Sequence, residues 1–210
     1  MVRVLIGDDH SVFRRGIREL LHEHLGSVEI GEAESGGEMI LLAQQRPWDL
    51  FIMDITMPGT SGTDLLQKLR RLRPTTPVLP FSIHPEATYA IRMLRCGASG
   101  YLNKATSPDQ LMLAINTVLS GRRYISPHLA ERLVETVQVD AQKPPHEMLS
   151  NREFQILRLL ATGQPLKVIA AQLNVSPNTI STYRARVLDK LGLKSNIELA
   201  RYSMEHGLAD

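Results

Sequence analysis

The chain has 210 residues, 43% of them hydrophobic and 5% aromatic, which excludes a fibrous or disordered chain and predicts a globular protein of one large or two small domains. A single cysteine, Cys96, excludes an internal disulfide, and no apolar run approaches the ~20 residues of a membrane-spanning helix. The net charge of +2 lies wholly in the last third, because residues 146–210 carry 8 basic against 6 acidic side chains while residues 1–145 balance.

From the N-terminus, a β-rich run at residues 2–6 stops at the adjacent carboxylates Asp8 and Asp9, too early for a signal peptide. The expectation is a cytoplasmic protein with no membrane partner. A helical pattern follows over 12–25, with apolar positions at 13, 17, 20, 21 and 25. Further strands are predicted at 28–31, 49–53, 78–81 and 100–102, alternating with helices at 38–45, 62–72 and 86–96. A last helix starts at Ser107-Pro108, an N-cap residue followed by proline at the first helical position. Strand–helix alternation of this kind implies an α/β domain, a doubly wound (βα)5 parallel sheet with helices on both faces, over residues 1–121. Strands 1 and 3 are nearly continuous apolar runs, as burial on both faces requires.

Residues 122–147 change character. Ser126-Pro127 can start a short helix carrying Leu129, Leu133 and Val137, and the Pro144-Pro145 pair closes a stretch without periodicity, so this segment reads as a linker. Residues 148–210 read as a small all-α domain. Ser150 and Glu153 form a capping-box pattern before Phe154, Leu157 and Leu160. A short helix at 166–173, a turn at Asn174 and a third helix opened by Ser176-Pro177 make a helix-turn-helix. Ser195 and Glu198 form a second capping-box pattern, and Gly207 ends the fourth helix.

Sites in open parallel sheets form at the carboxyl ends of strands. Asp8 and Asp9 follow strand 1, Asp54 follows strand 3, Ser82 follows strand 4 and Lys104 lies past strand 5. Three carboxylates on one edge repel each other unless a cation joins them, and an all-oxygen set suits Mg²⁺. With Mg²⁺ and Lys104 beside it, Asp54 can act as a nucleophile toward phosphorus, while Ser82 hydrogen-bonds a phosphoryl oxygen. The seven histidines show no ligand spacing, and His22 and His24 point to different helix faces, so no separate structural metal is expected.

The runs Val-Leu-Ile-Gly-Asp-Asp-His (4–10), Met-Asp-Ile-Thr-Met-Pro-Gly (53–59) and Cys-Gly-Ala-Ser-Gly-Tyr-Leu-Asn-Lys (96–104) strongly resemble the flavodoxin-like receiver domain of bacterial response regulators. That resemblance implies that Asp54 accepts phosphate from a sensor histidine kinase. It implies Mg²⁺ ligation by Asp9, Asp54 and the main-chain carbonyl of Thr56, with Asp8 acting on a metal-bound water. It assigns Lys104 to the phosphoryl group or Asp54, and Ser82 and Tyr101 to the switch that reports phosphorylation to the face built by the fourth helix, fifth strand and fifth helix. Two departures stand out: Pro80 inside an interior strand, where a bulge is expected to absorb it, and Ala105 where many receivers carry proline.

Leu149-Ser150-Asn151-Arg152-Glu153, Thr179-Ile180-Ser181-Thr182-Tyr183 and Lys190-Leu191-Gly192 resemble the LuxR-type helix-turn-helix, and the pairing resembles the NarL/FixJ family. Tyr183-Arg184-Ala185-Arg186, the run at 123–127 and the ending at 204–208 look most like its GacA/UvrY group. On a wheel of residues 177–191, Ile180, Val187, Leu188 and Leu191 cluster on one side. Asn178, Thr182, Ala185 and Asp189 lie opposite, with Ser181 at one edge and Arg186 and Lys190 at the other, which suits a helix in the major groove. In relatives the positions of Ser181, Thr182 and Ala185 face bases, often with lysine at the first, which this chain lacks. The candidate contacts to promoter DNA are Asn178, Thr179, Ser181, Thr182, Arg184, Ala185, Arg186 and Lys190, with the Arg184 stem packed and its head at a phosphate.

The resemblance also places a homodimer contact of the phosphorylated, DNA-bound state on the fourth helix. Ile197, Ala200 and Met204 share one stripe with Arg201 at its edge, Leu199 and Tyr202 lie opposite, and either side can face the core. If the Ile197 stripe is buried, Tyr202 and Leu199, with Arg201, are the dimer residues. The expected function is a phosphorylation-controlled transcriptional regulator rather than an enzyme. The alternative is a degenerate receiver acting only as a dimerisation module. A haloacid-dehalogenase-type phosphatase fits poorly, because its nucleophile ends the first strand in an Asp-x-Asp pattern.

Overall fold

In a computed structural model, residues 1–58, 60–131, 144–173 and 175–208 are described, with the side chains of residues 87 and 88 left aside. The expected turn residue Asn174 and the centre of the linker lie outside them. The chain divides into two compact units, Met1–Arg132 and Leu133–Asp210.

The first unit runs β1 (Val2–Gly7), α1 (Ser11–Leu25), β2 (Val28–Ala33), α2 (Gly36–Gln45), β3 (Leu50–Met53), α3 (Gly62–Leu72), β4 (Val78–Ser82), α4 (Glu86–Arg95), β5 (Leu102–Asn103) and α5 (Pro108–Leu119). The strands form one parallel sheet in the order β2-β1-β3-β4-β5. The expected doubly wound α/β domain is therefore present. Alternation sorts the side chains: Val4, Ile6, Leu50, Ile52, Leu79, Phe81 and Leu102 share a cluster with Ile17 and Leu21 of α1 and Leu111, Ile115 and Val118 of α5. Leu5, Phe51 and Met53 are equally buried on the other face. The order reverses between β1 and β3, the crevice where such sheets hold their sites.

Helix starts follow the chemistry of their caps. The side chains of Ser35, Ser61 and Ser107 each accept from the amide three residues on. At Gly62 an added Cβ would lie 2.7 Å from the Ile55 backbone, so only glycine lets α3 start this close to the loop after β3.

Pro80 sits in a regular strand, paired with Met53 in unbroken register with β3. Val78 and Ser82 accept on the β5 side, from the amides of Ser99 and Lys104. The strand's alternation points Pro80 the same way, so its missing donor falls on that side and the β3 ladder loses nothing. The two acceptors are four residues apart and their donors five, so the extra residue sits on the strand facing proline, not in β4 itself. After α5 the chain stays with this unit: Tyr124 joins the core cluster, its amide donates to Ser99, and the Ser126 hydroxyl donates to Glu86 at 2.7 Å.

The second unit holds a 3₁₀ turn (Pro145–Met148) and helices α6 (Asn151–Ala161), α7 (Leu166–Gln172), α8 (Pro177–Leu191) and α9 (Asn196–Glu205). Ser150 and Glu153 form the expected capping box, with both hydrogen bonds present. At α9 the box is displaced by one residue: Ser195 accepts from Glu198, but the Glu198 carboxylate takes the amide of Lys194. The core is Phe154, Ile156, Leu157 and Leu160 of α6, Ile169 of α7, Ile180, Val187, Leu188 and Leu191 of α8, and Leu199 of α9.

Candidate functional site: an acidic pocket and an exposed helix

The pocket is assembled by strand ends. The Asp54 amide donates to the Gly7 carbonyl at 2.7 Å and the Asp8 amide to Ala33 at 3.0 Å, so the sheet ladder carries both acids to one edge. The Lys104 amide donates to Ser82 at 2.8 Å, which brings the lysine to the same place from β5. Its ammonium lies 2.8 Å from Asp54 Oδ2 and 2.6 Å from Asp8 Oδ2. All three side chains are essentially buried, and the ammonium also stands 4.3 Å from the Phe13 ring centroid. Two carboxylates this close repel each other, and the ammonium between them offsets that repulsion.

Asp54 Oδ1 is held by Thr56, through its amide at 3.1 Å and its hydroxyl at 2.8 Å. Asp9 is more open, and the His10 ring lies 2.8 Å from its Oδ1 and 3.3 Å from Asp8 Oδ1. The carboxylates of Asp8, Asp9 and Asp54 and the His10 imidazole each offer a ligand atom, all within 4.8 Å of one another. This compact, mostly oxygen donor set fits a hard divalent cation. Ser82 is fully buried and its hydroxyl accepts from the His84 amide at 3.4 Å. Tyr101, also fully buried, donates to the His84 carbonyl at 2.9 Å. Burial pushes the Tyr101 phenol well above its ordinary range, against the opposing hydrogen bond to Ser82, so it stays a neutral donor.

The structure thus gathers Asp8, Asp9, Asp54, Thr56 and Lys104 at one edge, with Ser82 and Tyr101 linked beneath the β4–α4 turn. His10 is the ligand candidate that sequence reasoning missed. Its signal was its place directly after the acid pair, at the start of α1.

In the second unit, the expected stripe of α8 is its buried side: Ile180, Val187, Leu188 and Leu191. Asn178, Ser181, Thr182, Ala185 and Arg186 are exposed together, and Thr179 is half-buried. Ser176 caps the helix through Thr179, and Gly192 ends it with φ 66°, a left-handed turn that favours glycine. Two of the charged candidates are tied by side-chain hydrogen bonds. Arg184 donates to Asn196 at 2.6 Å, tying α8 to the start of α9, and Lys190 donates to Glu153 at 2.7 Å. Burial raises the Glu153 carboxyl, but the hydrogen bonds from Lys190 and Ser150 outweigh it and hold the group below its ordinary range.

On α9 the condition for the expected dimer residues is not met. Leu199 is fully buried and belongs to the core, while Ile197 and Met204 are 83% and 72% exposed. Tyr202 is half-buried, bonded to the His146 ring at 2.9 Å and stacked on His206 at 4.1 Å between centroids. Assigning Leu199 to a partner surface is therefore corrected. Both stripes are apolar enough to face inward, and the packing against α6 selects the one with Leu199. Arg201 is exposed beside the outer stripe and lies 3.8 Å from Glu205.

Comparison with known proteins agrees with both halves. Residues 4–116 match the response regulator receiver domain, and residues 147–203 match the bacterial regulatory proteins of the luxR family. The chain is 37% identical over 210 residues to the response regulator GacA of Pseudomonas protegens, covering 100% of this chain and 99% of that one. It is 33% identical over 211 residues to the response regulator UvrY of Escherichia coli, covering 100% and 97%. Among solved structures it is similar to RcsB from Salmonella enterica serovar Typhimurium bound to promoter rprA in the presence of phosphomimetic BeF3-. That match has a TM-score of 0.74 and 26% identity over 96% of this chain and 97% of that one. The receiver fold with its acidic edge, the helix-turn-helix and these full-length relatives lead to one conclusion: the chain belongs to the response regulators that join a receiver domain to a LuxR-type DNA-binding domain.

Proposed function

We propose that this protein is a transcriptional regulator whose binding to double-stranded promoter DNA is controlled by phosphorylation of Asp54, and that it has no metabolic substrate of its own. The domains are a receiver at 1–121, a connecting segment at 122–147 whose start packs on the receiver through Tyr124 and Ser126, and a DNA-binding domain at 148–210. The observation that carries the reading is the buried Asp54–Lys104–Asp8 cluster at the sheet's switch point, in one chain with an exposed polar helix face.

The phosphoryl donor is a phosphohistidine of a sensor histidine kinase. An Asp54 carboxylate oxygen forms the new P–O bond as the donor's P–N bond breaks, and the histidine leaves with the bond electrons. Thr56 orients the carboxylate through its Oδ1, Lys104 meets the charge of the incoming group, and Ser82 turns its hydroxyl to a phosphoryl oxygen. Asp9, Asp54 and the Thr56 carbonyl would hold Mg²⁺, with Asp8 placed to bond a water of the ion and His10 at the margin. Bound there, the ion would supply positive charge to the phosphoryl oxygens. Tyr101 shares the β4–α4 turn with Ser82, so movement of one is felt by the other. That gives the switch its route to α4, β5 and α5.

Asn178, Thr179, Ser181, Thr182, Ala185 and Arg186 face the DNA, and Arg184 and Lys190 reach phosphates only by leaving the partners described above. Homodimerisation uses the outer stripe of α9, Ile197, Ala200 and Met204, flanked by Arg201. No helix among the described residues is long and apolar enough to cross a membrane. We assign the protein to the cytoplasm, where its kinase's phosphorylated domain and the DNA both lie. Against the alternative of a degenerate receiver, Pro80 keeps its register with β3 and the Ser82 carbonyl accepts from the amide of Lys104.

The test is incubation of the full chain with acetyl phosphate and Mg²⁺, followed by intact mass. Wild type gains one phosphoryl group. Asp54→Asn gains none, because an amide is not a nucleophile of this kind. Equal gain by both proteins rejects the site.

A further inference from the structure

Arg14 has no part in the roles above, yet it is among the most constrained charged residues of the first unit. It lies on the inner stripe of α1 with Ile17 and Leu21, and its side chain is only 8% exposed. A guanidinium is tolerated in such a place only if its donors are met. Here they are met in three directions. Nη1 donates to the main-chain carbonyl of Asp8 at 2.7 Å, Nε to Glu32 at 3.1 Å and Nη2 to Glu34 at 2.5 Å. The second oxygen of Glu32 accepts from Arg18 at 2.7 Å, which fixes that carboxylate in turn.

The consequence falls on Asp8. Its amide donates to Ala33, its carbonyl accepts from Arg14, and its Oδ1 accepts from the His10 amide at 2.9 Å. The turn that carries Asp8 and Asp9 is thus tied to the end of β2 by the guanidinium as well as by the Asp8 amide. We propose that Arg14 is a positioning residue for the divalent-cation pocket. By holding the Asp8 carbonyl it sets where the paired carboxylates project, and hence the spacing a cation must bridge. The inference rests on reading the acid cluster as the Mg²⁺ site. Arginine suits the task because its planar fork serves three acceptors at once, whereas lysine offers a point charge. Glu32 and Glu34 offset the charge of Arg14, so it does not compete with the cation.

A plain strut between α1 and β2 would lower stability when removed and leave cation affinity alone. Titration calorimetry of the full chain with Mg²⁺ and with Mn²⁺ separates the two, with a melting curve for each variant. Arg14→Lys and Arg14→Met are expected to weaken both ions about tenfold or more, within the range found when a residue that orients metal ligands is lost. Glu34→Gln, which removes an exposed carboxylate and leaves the Asp8 contact, is expected to change affinity by no more than about threefold. Arg14→Lys keeps charge and length, so it decides the matter if Arg14→Met does not fold. Wild-type affinity in folded Arg14→Lys overturns the proposal while the Mg²⁺ reading stands. A wild-type chain that binds neither ion overturns both.

Discussion

At the scale of single residues, repulsion between neighbouring acids makes Asp9, the proposed Mg²⁺ ligand, a residue that costs stability. Asp9→Ala is expected to weaken Mg²⁺ binding tenfold or more, roughly the loss seen even for residues behind the ligands, and to leave the melting temperature unchanged or higher. A lower melting temperature would show that the His10 contact outweighs the repulsion. Glu153 gives a pH prediction. Its folded pKa is depressed, so the stabilisation from its ionised form is present above the unfolded carboxyl value of about 4.3 and is lost as pH falls through the folded value. Glu153→Gln keeps the capping box but loses the charge that faces Lys190. It should be less stable than wild type at pH 7, by about 1 kcal/mol or less because Lys190 is partly solvated, and the gap should close as pH falls below the ordinary carboxyl range. A gap that persists in acid would mean the loss is one of packing. Asp8, Asp9, Asp54 and Lys104 were legible in the sequence because each follows a strand, and strand ends converge by topology. Arg14 was not, since its partners are a main-chain carbonyl and two glutamates at the end of a different strand.

At the scale of elements, α8 and α9 contrast. The buried side of α8 was readable, because Ile180, Val187, Leu188 and Leu191 make a single apolar stripe. Arg186→Ala is expected to weaken binding across DNA sequences and to make the salt dependence shallower by about 0.9 in the log–log slope, the mark of one lost phosphate contact. Thr182→Ala should instead alter base preference, with a loss of about 1–3 kcal/mol at one position if its hydroxyl turns from the Asn178 carbonyl to a base. Competition assays over a range of salt separate the two, and an unchanged slope in Arg186→Ala would reverse their roles. The orientation of α9 was not readable, since both sides carry apolar residues and only the packing of Leu199, Ser203 and Leu208 decides. Met204→Glu should leave the melting temperature alone and weaken binding to DNA with two half-sites more than to DNA with one. Tyr202→Glu, which breaks the His146 bond and the His206 stack, should lower the melting temperature. Equal loss on both DNAs for Met204→Glu would remove the dimer surface from α9.

At the scale of the whole molecule, strand–helix alternation sufficed for a parallel sheet, and the capping residues marked most helix starts. The fate of Pro80 was not legible, because whether a proline harms a strand depends on which neighbour its missing donor faces. That is a property of the assembled sheet. One carboxylate in the first unit is proposed to govern DNA binding by the second. The most direct measurement is the affinity of the full chain for a promoter fragment with two half-sites, with and without acetyl phosphate and Mg²⁺, for wild type and Asp54→Asn. Such control requires wild-type affinity to rise on phosphorylation by about tenfold, a coupling of about 1.4 kcal/mol, with no response from Asp54→Asn. Equal affinities in wild type with and without the phosphodonor, at full phosphorylation by mass, would contradict it.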